Sequence, residues 1–218
     1  GRISAPPAFP PTLIFMQTTI FDTPVVNTAM RALSRAVLRL MGWRTEGMTP
    51  DEIAAYPKYV LIAAPHTSNW DFPITLMVAF VLRLRVYWMA KASLFAGPLG
   101  PVARWLGGIP VDRNASSNLV QKTVDAFAAR ERLAVIVAPE GTRGTVTHWK
   151  TGFYHIAHGA GVPIGLAYLD YARKVGGIGR MYTTSGDIEA DMVEIRAFYS
   201  GVTGKHRQQF DAGSVRRR

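Results

Sequence analysis

Three short, nearly all-apolar runs, Tyr59–Ala64, Leu133–Ala138 and Val162–Leu169, constrain this chain more than any other feature. A strand that is apolar at successive positions has no face to give to solvent, so it belongs inside a sheet covered on both sides, usually a parallel one. Segments with helical spacing lie between and around these runs: Phe72–Leu84, Asn118–Arg130, Trp149–His158 and a late amphipathic helix, Ile188–Tyr199. Val86–Ala90 reads as a further strand. Strands separated by helices predict an α/β fold, a mixed and partly parallel sheet flanked by helices. With 218 residues the chain has enough length for one such domain and an appendage. We divide it into residues 1–45, a leader and one helix, and residues 46–218, the main domain.

That first helix is clearly punctuated. Asp22 or Thr23 can cap it, Pro24 suits its first turn and Gly42 its end. Val26, Ala29, Met30, Leu33, Val37, Leu40 and Met41 recur on one side; Asn27, Arg31, Ser34, Arg35 and Arg39 take the other, with Leu38 as an apolar intruder. By itself this basic amphipathic helix fits ordinary packing on a core, with its arginines in water. Gly1–Pro11 carries four prolines and no periodicity, and it lacks the basic end and long apolar run of a signal peptide. The missing initiator Met suggests a natural start further upstream.

Lys and Arg exceed Asp and Glu by 25 to 15, a formal charge of +10, so an anionic partner is expected: nucleic acid, a membrane surface or a phosphorylated substrate. The apolar stretch Phe72–Leu82 is too short to span a bilayer and is closed by Asp71 and Arg83. Zero cysteines exclude a disulfide framework, a thiolate metal site and a cysteine nucleophile.

Polar chemistry gathers in the loops that follow the strands, where α/β folds place ligands. After Ala64 comes Pro65-His66-Thr67-Ser68-Asn69-Trp70-Asp71. A histidine can take a proton from a hydroxyl near neutral pH, and a carboxylate on its other ring nitrogen fixes the tautomer and supports the imidazolium. The five-residue offset lets His66 and Asp71 meet only if the chain turns between them, which Asn69 and Pro73 permit. Taken alone, the pair fits better an N-capping Asp and a loop His, the commoner arrangement. With no Gly-x-Ser-x-Gly elbow, the economical mechanism is a two-member base acting on a substrate hydroxyl. Two more loops carry charge: Lys91 through Gly107-Gly108-Ile109-Pro110-Val111-Asp112-Arg113, and Ala138-Pro139-Glu140-Gly141-Thr142-Arg143-Gly144. Lys91, Arg113 and Arg143 suit an anion, Arg143 by bidentate phosphate recognition.

The ordered set His66-x-x-x-x-Asp71, Gly107 to Arg113, Pro139-Glu140-Gly141-Thr142-Arg143 and Val162-Pro163-Ile164 resembles the lysophosphatidic acid acyltransferase family of glycerolipid acyltransferases, over roughly Lys58 to Leu169. Gly144 stands where that family usually has Ser, Leu166 replaces a second proline, and Ala138 precedes Pro139 where an aromatic residue is frequent. The resemblance implies that His66 is the general base oriented by Asp71, and that Lys91, Arg113 and Arg143 surround the acceptor's phosphate. It implies further that Glu140 positions glycerol hydroxyls, with Gly141 and Thr142 shaping that loop. Acyl-coenzyme A or acyl carrier protein would be the donor and a lysophospholipid, foremost lysophosphatidic acid, the acceptor, with no metal, no cofactor and no covalent acyl-enzyme.

The resemblance also favours membrane docking for the helix from Pro24 to Met41, and a peripheral or monotopic place on a membrane, the cytoplasmic face of the inner membrane in a bacterium. His148, His155 and His158 invite a metal reading, but without a carboxylate at matching spacing we expect solvated or packed histidines. Two other readings stay open: acylation of another lyso-lipid, such as a lyso-ornithine lipid, and a non-catalytic basic protein on anionic membrane. Nucleic acid is not expected as a partner.

Overall fold

A computed structural model describes residues 18–111, 116–141 and 149–206. In chain order the elements are α1 (Pro24–Leu40), β1 (Arg44–Thr45), α2 (Pro50–Ala54), β2 (Lys58–Ala64), α3 (Asp71–Val81), β3 (Tyr87–Lys91), α4 (Gly100–Trp105), β4 (Gly108–Val111), α5 (Ser116–Ala128), β5 (Leu133–Val137), α6 (Gly152–Ala160), β6 (Ile164–Asp170), β7 (Val175–Tyr182) and α7 (Ile188–Tyr199). The strands form one sheet in the order β1-β7-β6-β2-β5-β3-β4. All neighbours pair in parallel except β6 and β7, which form an antiparallel hairpin.

The all-apolar runs occupy the middle of this sheet, as their composition requires. Central β2 pairs on one side with β5, Lys58 opposite Leu133, and on the other with β6, Val60 opposite Ile164. Its alternate residues feed two separate cores. Val60, Ile62 and Ala64 pack with Phe127, Phe153 and Ile195 from α5, α6 and α7. Tyr59 and Leu61 pack with Leu38, Ile74 and Val78 from α1 and α3. Both faces are therefore covered, and the carboxyl ends of β2 and β5 open onto loops that run beside each other.

Several boundaries differ from the sequence reading. The expected helix from Phe72 to Leu84 stops at Val81 because Arg83 takes a left-handed conformation (φ 59°), which lets the Leu84 amide reach back to Ala79 O at 2.9 Å and buries Leu82 and Leu84. Strand β7 has no counterpart in the sequence reading. Its Val175-Gly176-Gly177-Ile178-Gly179 stretch lacks a strand pattern, because β1 and α7 lie too close for side chains there. A Cβ on Gly177 would sit 1.8 Å from Glu46 O, and one on Gly179 would sit 2.4 Å from the Phe198 ring. Helix α7 is tied to this hairpin by Asp191, whose carboxylate accepts hydrogen bonds from Tyr154, Tyr182 and Ser185.

Helix α1 requires a correction of its facing. Its existence, its Pro24 start and its stop near Gly42 agree with the spacing, but the buried side straddles the two faces: Ser34 and Leu38, read with the polar side, are its most buried residues, and Val26, Met30 and Met41 of the apolar side pack half-buried on the same core. Leu38 is the buried anchor and Ser34, equally buried, is small enough to let the two helices lie close. Val25, Leu33 and Leu40 instead remain 80%, 55% and 88% exposed. Ile20 and Phe21, just before the helix, join the same core.

Candidate active site

The loop after β2 turns back on itself, and the turn is made by Asp71. As the first residue of α3, it aims its carboxylate at the amides preceding the helix: Oδ2 accepts from Thr67 N and Ser68 N, each at 2.8 Å. The same oxygen lies 3.1 Å from His66 Nδ1, so the five-residue offset closes into a dyad. Oδ1 accepts the Tyr171 hydroxyl at 2.6 Å. Asp71 is only 3% exposed. Burial works against its charge, but the hydrogen bonds from His66, Tyr171 and Ser68 outweigh it and hold the carboxyl below the usual range. An ionised Asp71 takes the Nδ1 proton as acceptor, which leaves Nε2 as the ring nitrogen that can receive a proton.

Glu140, at the end of β5, reaches the same loop from below. Its Oε2 accepts from the His66 amide at 2.8 Å. The side chain is 5% exposed and its Oε1 is buried without a hydrogen-bond partner among the described residues. Burial raises its pKa to about 7, against the pull of the His66 amide and ring, and the Asp71 charge adds to the rise. One carboxylate oxygen thus faces the backbone of the His66 loop. Gly141 follows at φ 65°, where a Cβ would meet the Lys150 side chain at 3.0 Å, and Lys150 N closes the loop on Pro139 O at 2.8 Å.

His66 and Asp71, with Asn69 and Thr75, line a cavity of about 510 Å³ whose other walls are apolar: Phe72 and Leu76 of α3, Trp88 of β3, and Leu94, Leu99 and Val102 around α4. Phe72 and Trp88 meet edge to face with centroids 4.6 Å apart, and Trp88 Nε1 donates to Leu106 O at 2.9 Å, which ties this wall to α4. Leu94, Leu99, Val102 and Trp105 are also exposed, so the rim is apolar.

Lys91 is exposed at the carboxyl end of β3, in register with Val111 of β4. Gly107 and Gly108 lead into β4, packed against Val86, Trp88 and Phe95. Arg113, Thr142 and Arg143 lie outside the described residues, as does His148. Of the remaining histidines weighed for a metal, His158 stacks on Tyr154 and His155 meets the same ring edge-on. Among the described residues no group of three His, Asp or Glu side chains gathers in a way that could hold a metal ion. Tyr171 is the functional candidate absent from the sequence reading: it stands 100 positions from Asp71, and no local spacing connects them.

A polar dyad at one end of a largely apolar cavity, on the carboxyl edge of an α/β sheet, stands where such folds place ligands. The model of the Acyltransferase family matches residues 49–165, more than half of the chain, and the chain belongs to that family. The 1-acyl-sn-glycerol-3-phosphate acyltransferases of Escherichia coli K12 and Salmonella typhimurium are each 30% identical to it over 132 residues, covering 57% of this chain and 52% of theirs. That of Haemophilus influenzae is 28% identical over 132 residues. The chain spans about half the length of the curated relatives it matches. The crystal structure of the 1-acyl-sn-glycerophosphate acyltransferase PlsC from Thermotoga maritima shares the fold, with a TM-score of 0.54 at 14% identity over 79% of this chain and 76% of that one.

Proposed function

We propose that this protein is an O-acyltransferase that moves a fatty acyl chain from a coenzyme A or acyl carrier protein thioester to the free hydroxyl of a lysophospholipid, lysophosphatidic acid foremost. The observation that carries the reading is the His66–Asp71 dyad, 3.1 Å apart, lining an apolar cavity. With Nδ1 committed to Asp71, His66 Nε2 takes the proton of the acceptor hydroxyl as its oxygen attacks the thioester carbonyl carbon. The buried carboxylate supports the imidazolium so formed. Collapse of the tetrahedral intermediate breaks the carbon–sulfur bond, and the leaving thiolate recovers the proton from the imidazolium. No enzyme nucleophile or redox step enters, and neither metal nor cofactor is part of the scheme.

The cavity is assigned to an acyl chain, since its Phe72, Leu76, Trp88 and Leu99 walls offer dispersion and burial but few polar partners. Lys91, with Arg113 and Arg143, is assigned to the acceptor's phosphate. Glu140, with Gly141 behind it, is assigned to fixing the His66 backbone. Membrane association belongs to the same reading. No helix among the described residues is long and apolar enough to cross a membrane. Helix α1 instead turns Val25, Ala29, Leu33, Ala36 and Leu40 outward, with exposed Arg35 and Arg39 along one flank. Such a stripe suits insertion at an interface, with each arginine contributing about 1 kcal/mol against anionic headgroups.

Incubation of the purified protein with a mixed set of lyso-lipids and acyl donors, followed by lipid mass spectrometry, tests the reading. A product whose mass equals lysophosphatidic acid plus one acyl group is expected. Acylation of a phosphate-free acceptor alone would move the assignment to that lipid, and no acylated product from any pair would refute it.

A further inference from the structure

We infer that Tyr171 is a positioning residue of the His66–Asp71 dyad, the hydroxyl that fixes the free oxygen of Asp71 and so aims the imidazole. The inference rests on the acyl-transfer reading above. Asp71 Oδ2 is already used three times, by Thr67 N, Ser68 N and His66 Nδ1. A carboxylate held by one oxygen can still swing about its Cβ–Cγ bond, and the Tyr171 hydroxyl on Oδ1 at 2.6 Å removes that freedom.

Tyr171 is itself held at three points. Its backbone amide donates to Thr203 O at 2.8 Å, its hydroxyl is on Asp71, and its ring meets the Trp43 ring edge-on, with centroids 5.0 Å apart at 88°. Trp43 is buried and directly follows the turn that ends α1. Two segments distant in sequence, at Trp43 and Thr203, therefore hold the residue whose hydroxyl reaches Oδ1. The titratable groups facing Asp71 are His66, Tyr171 and, through space, Glu140.

Removing the hydroxyl has a signature that packing alone would not give. Without it, Oδ1 loses this donor and the carboxylate gains freedom to turn about its Cβ–Cγ bond. The less constrained carboxylate aims the ring less well, which lowers the turnover of bound substrate but leaves substrate binding alone.

The test uses Tyr171→Phe, which keeps the ring against Trp43, assayed beside wild type and His66→Ala by thiol release from an acyl-coenzyme A with lysophosphatidic acid. Wild-type activity lost in His66→Ala reports on the acyl-transfer reading; the Tyr171 comparison reports on the positioning role. For Tyr171→Phe we expect kcat to fall about tenfold, the equivalent of about 1.4 kcal/mol, with KM within about twofold. Site-specific replacement of Tyr171 by 3-fluorotyrosine, which keeps the hydroxyl and nearly the same shape, is expected to hold kcat within about twofold of wild type and guards against misfolding of the Phe variant. Wild-type kcat in Tyr171→Phe, or an equal loss in the fluorotyrosine protein, would overturn the inference.

Discussion

Glu140 places one carboxylate oxygen on the His66 amide and leaves the other buried without a partner among the described residues. Its pKa rises from 4.5 to about 7 because burial outweighs the His66 hydrogen bond. Between those values the folded protein keeps a proton that the unfolded chain has released, so the contribution of this group to stability is fully present below about pH 4.5 and is lost as the pH rises through about 7. The full decline is on the order of 3 kcal/mol. Glu140→Gln keeps a carbonyl acceptor for the His66 amide and carries no charge. Urea midpoints measured at pH 5 and pH 8 should therefore fall for wild type and stay nearly level for Glu140→Gln. Equal declines in the two proteins would mean that the burial of this carboxyl has no energetic consequence. Two buried carboxyls beside one histidine are pushed in opposite directions, because among the described residues four donors reach Asp71 and a single amide reaches Glu140.

At the scale of elements, the sequence was most legible where composition leaves one choice. The runs in β2, β5 and β6 could only be interior strands, and they lie in the centre of the sheet. The dyad was legible because both partners fall in one short loop, and its closing turn is made by backbone amides pointing at Asp71. Strand β7 was opaque because its glycines answer to the close approach of Glu46 and Phe198, which no local pattern encodes. Tyr171 was opaque for the same reason: its meaning comes from pairing β6 beside β2. Helix α1 shows an intermediate case. Its period and ends were readable, yet its inward side is chosen by fit to α3 through Ser34 and Leu38, with Val26 and Met30 half-buried beside them, and an apolar stripe through Val25, Leu33 and Leu40 is left outside. That stripe carries a prediction. In a co-sedimentation assay with vesicles containing phosphatidylglycerol, the double variant Leu33→Glu/Leu40→Glu should bind at least tenfold more weakly than wild type while keeping the same far-ultraviolet spectrum. At about 25 cal/mol per Å² of apolar surface, two leucines leaving the interface account for more than that loss. Undiminished binding would reassign the membrane contact to another surface, such as the apolar rim around α4.

At the scale of the whole molecule, the exposed Arg35 and Arg39 of α1 border the apolar stripe of that helix, while Lys91 stands at the carboxyl edge of the sheet, the edge that leads into the His66 loop. Leu94, Leu99 and Val102 extend the cavity wall to the exterior, so an acyl chain could pass from a bilayer to the dyad through apolar surroundings. The central claim is that His66 removes the acceptor's proton. Its most direct test is the rate of thiol release from acyl-coenzyme A with lysophosphatidic acid for wild type and His66→Ala at equal concentration and matched circular dichroism. A general base contributes roughly 10²- to 10⁴-fold, so the account predicts a fall of at least a hundredfold in kcat with the fold intact. A folded His66→Ala protein that turns over within a few-fold of wild type would contradict it.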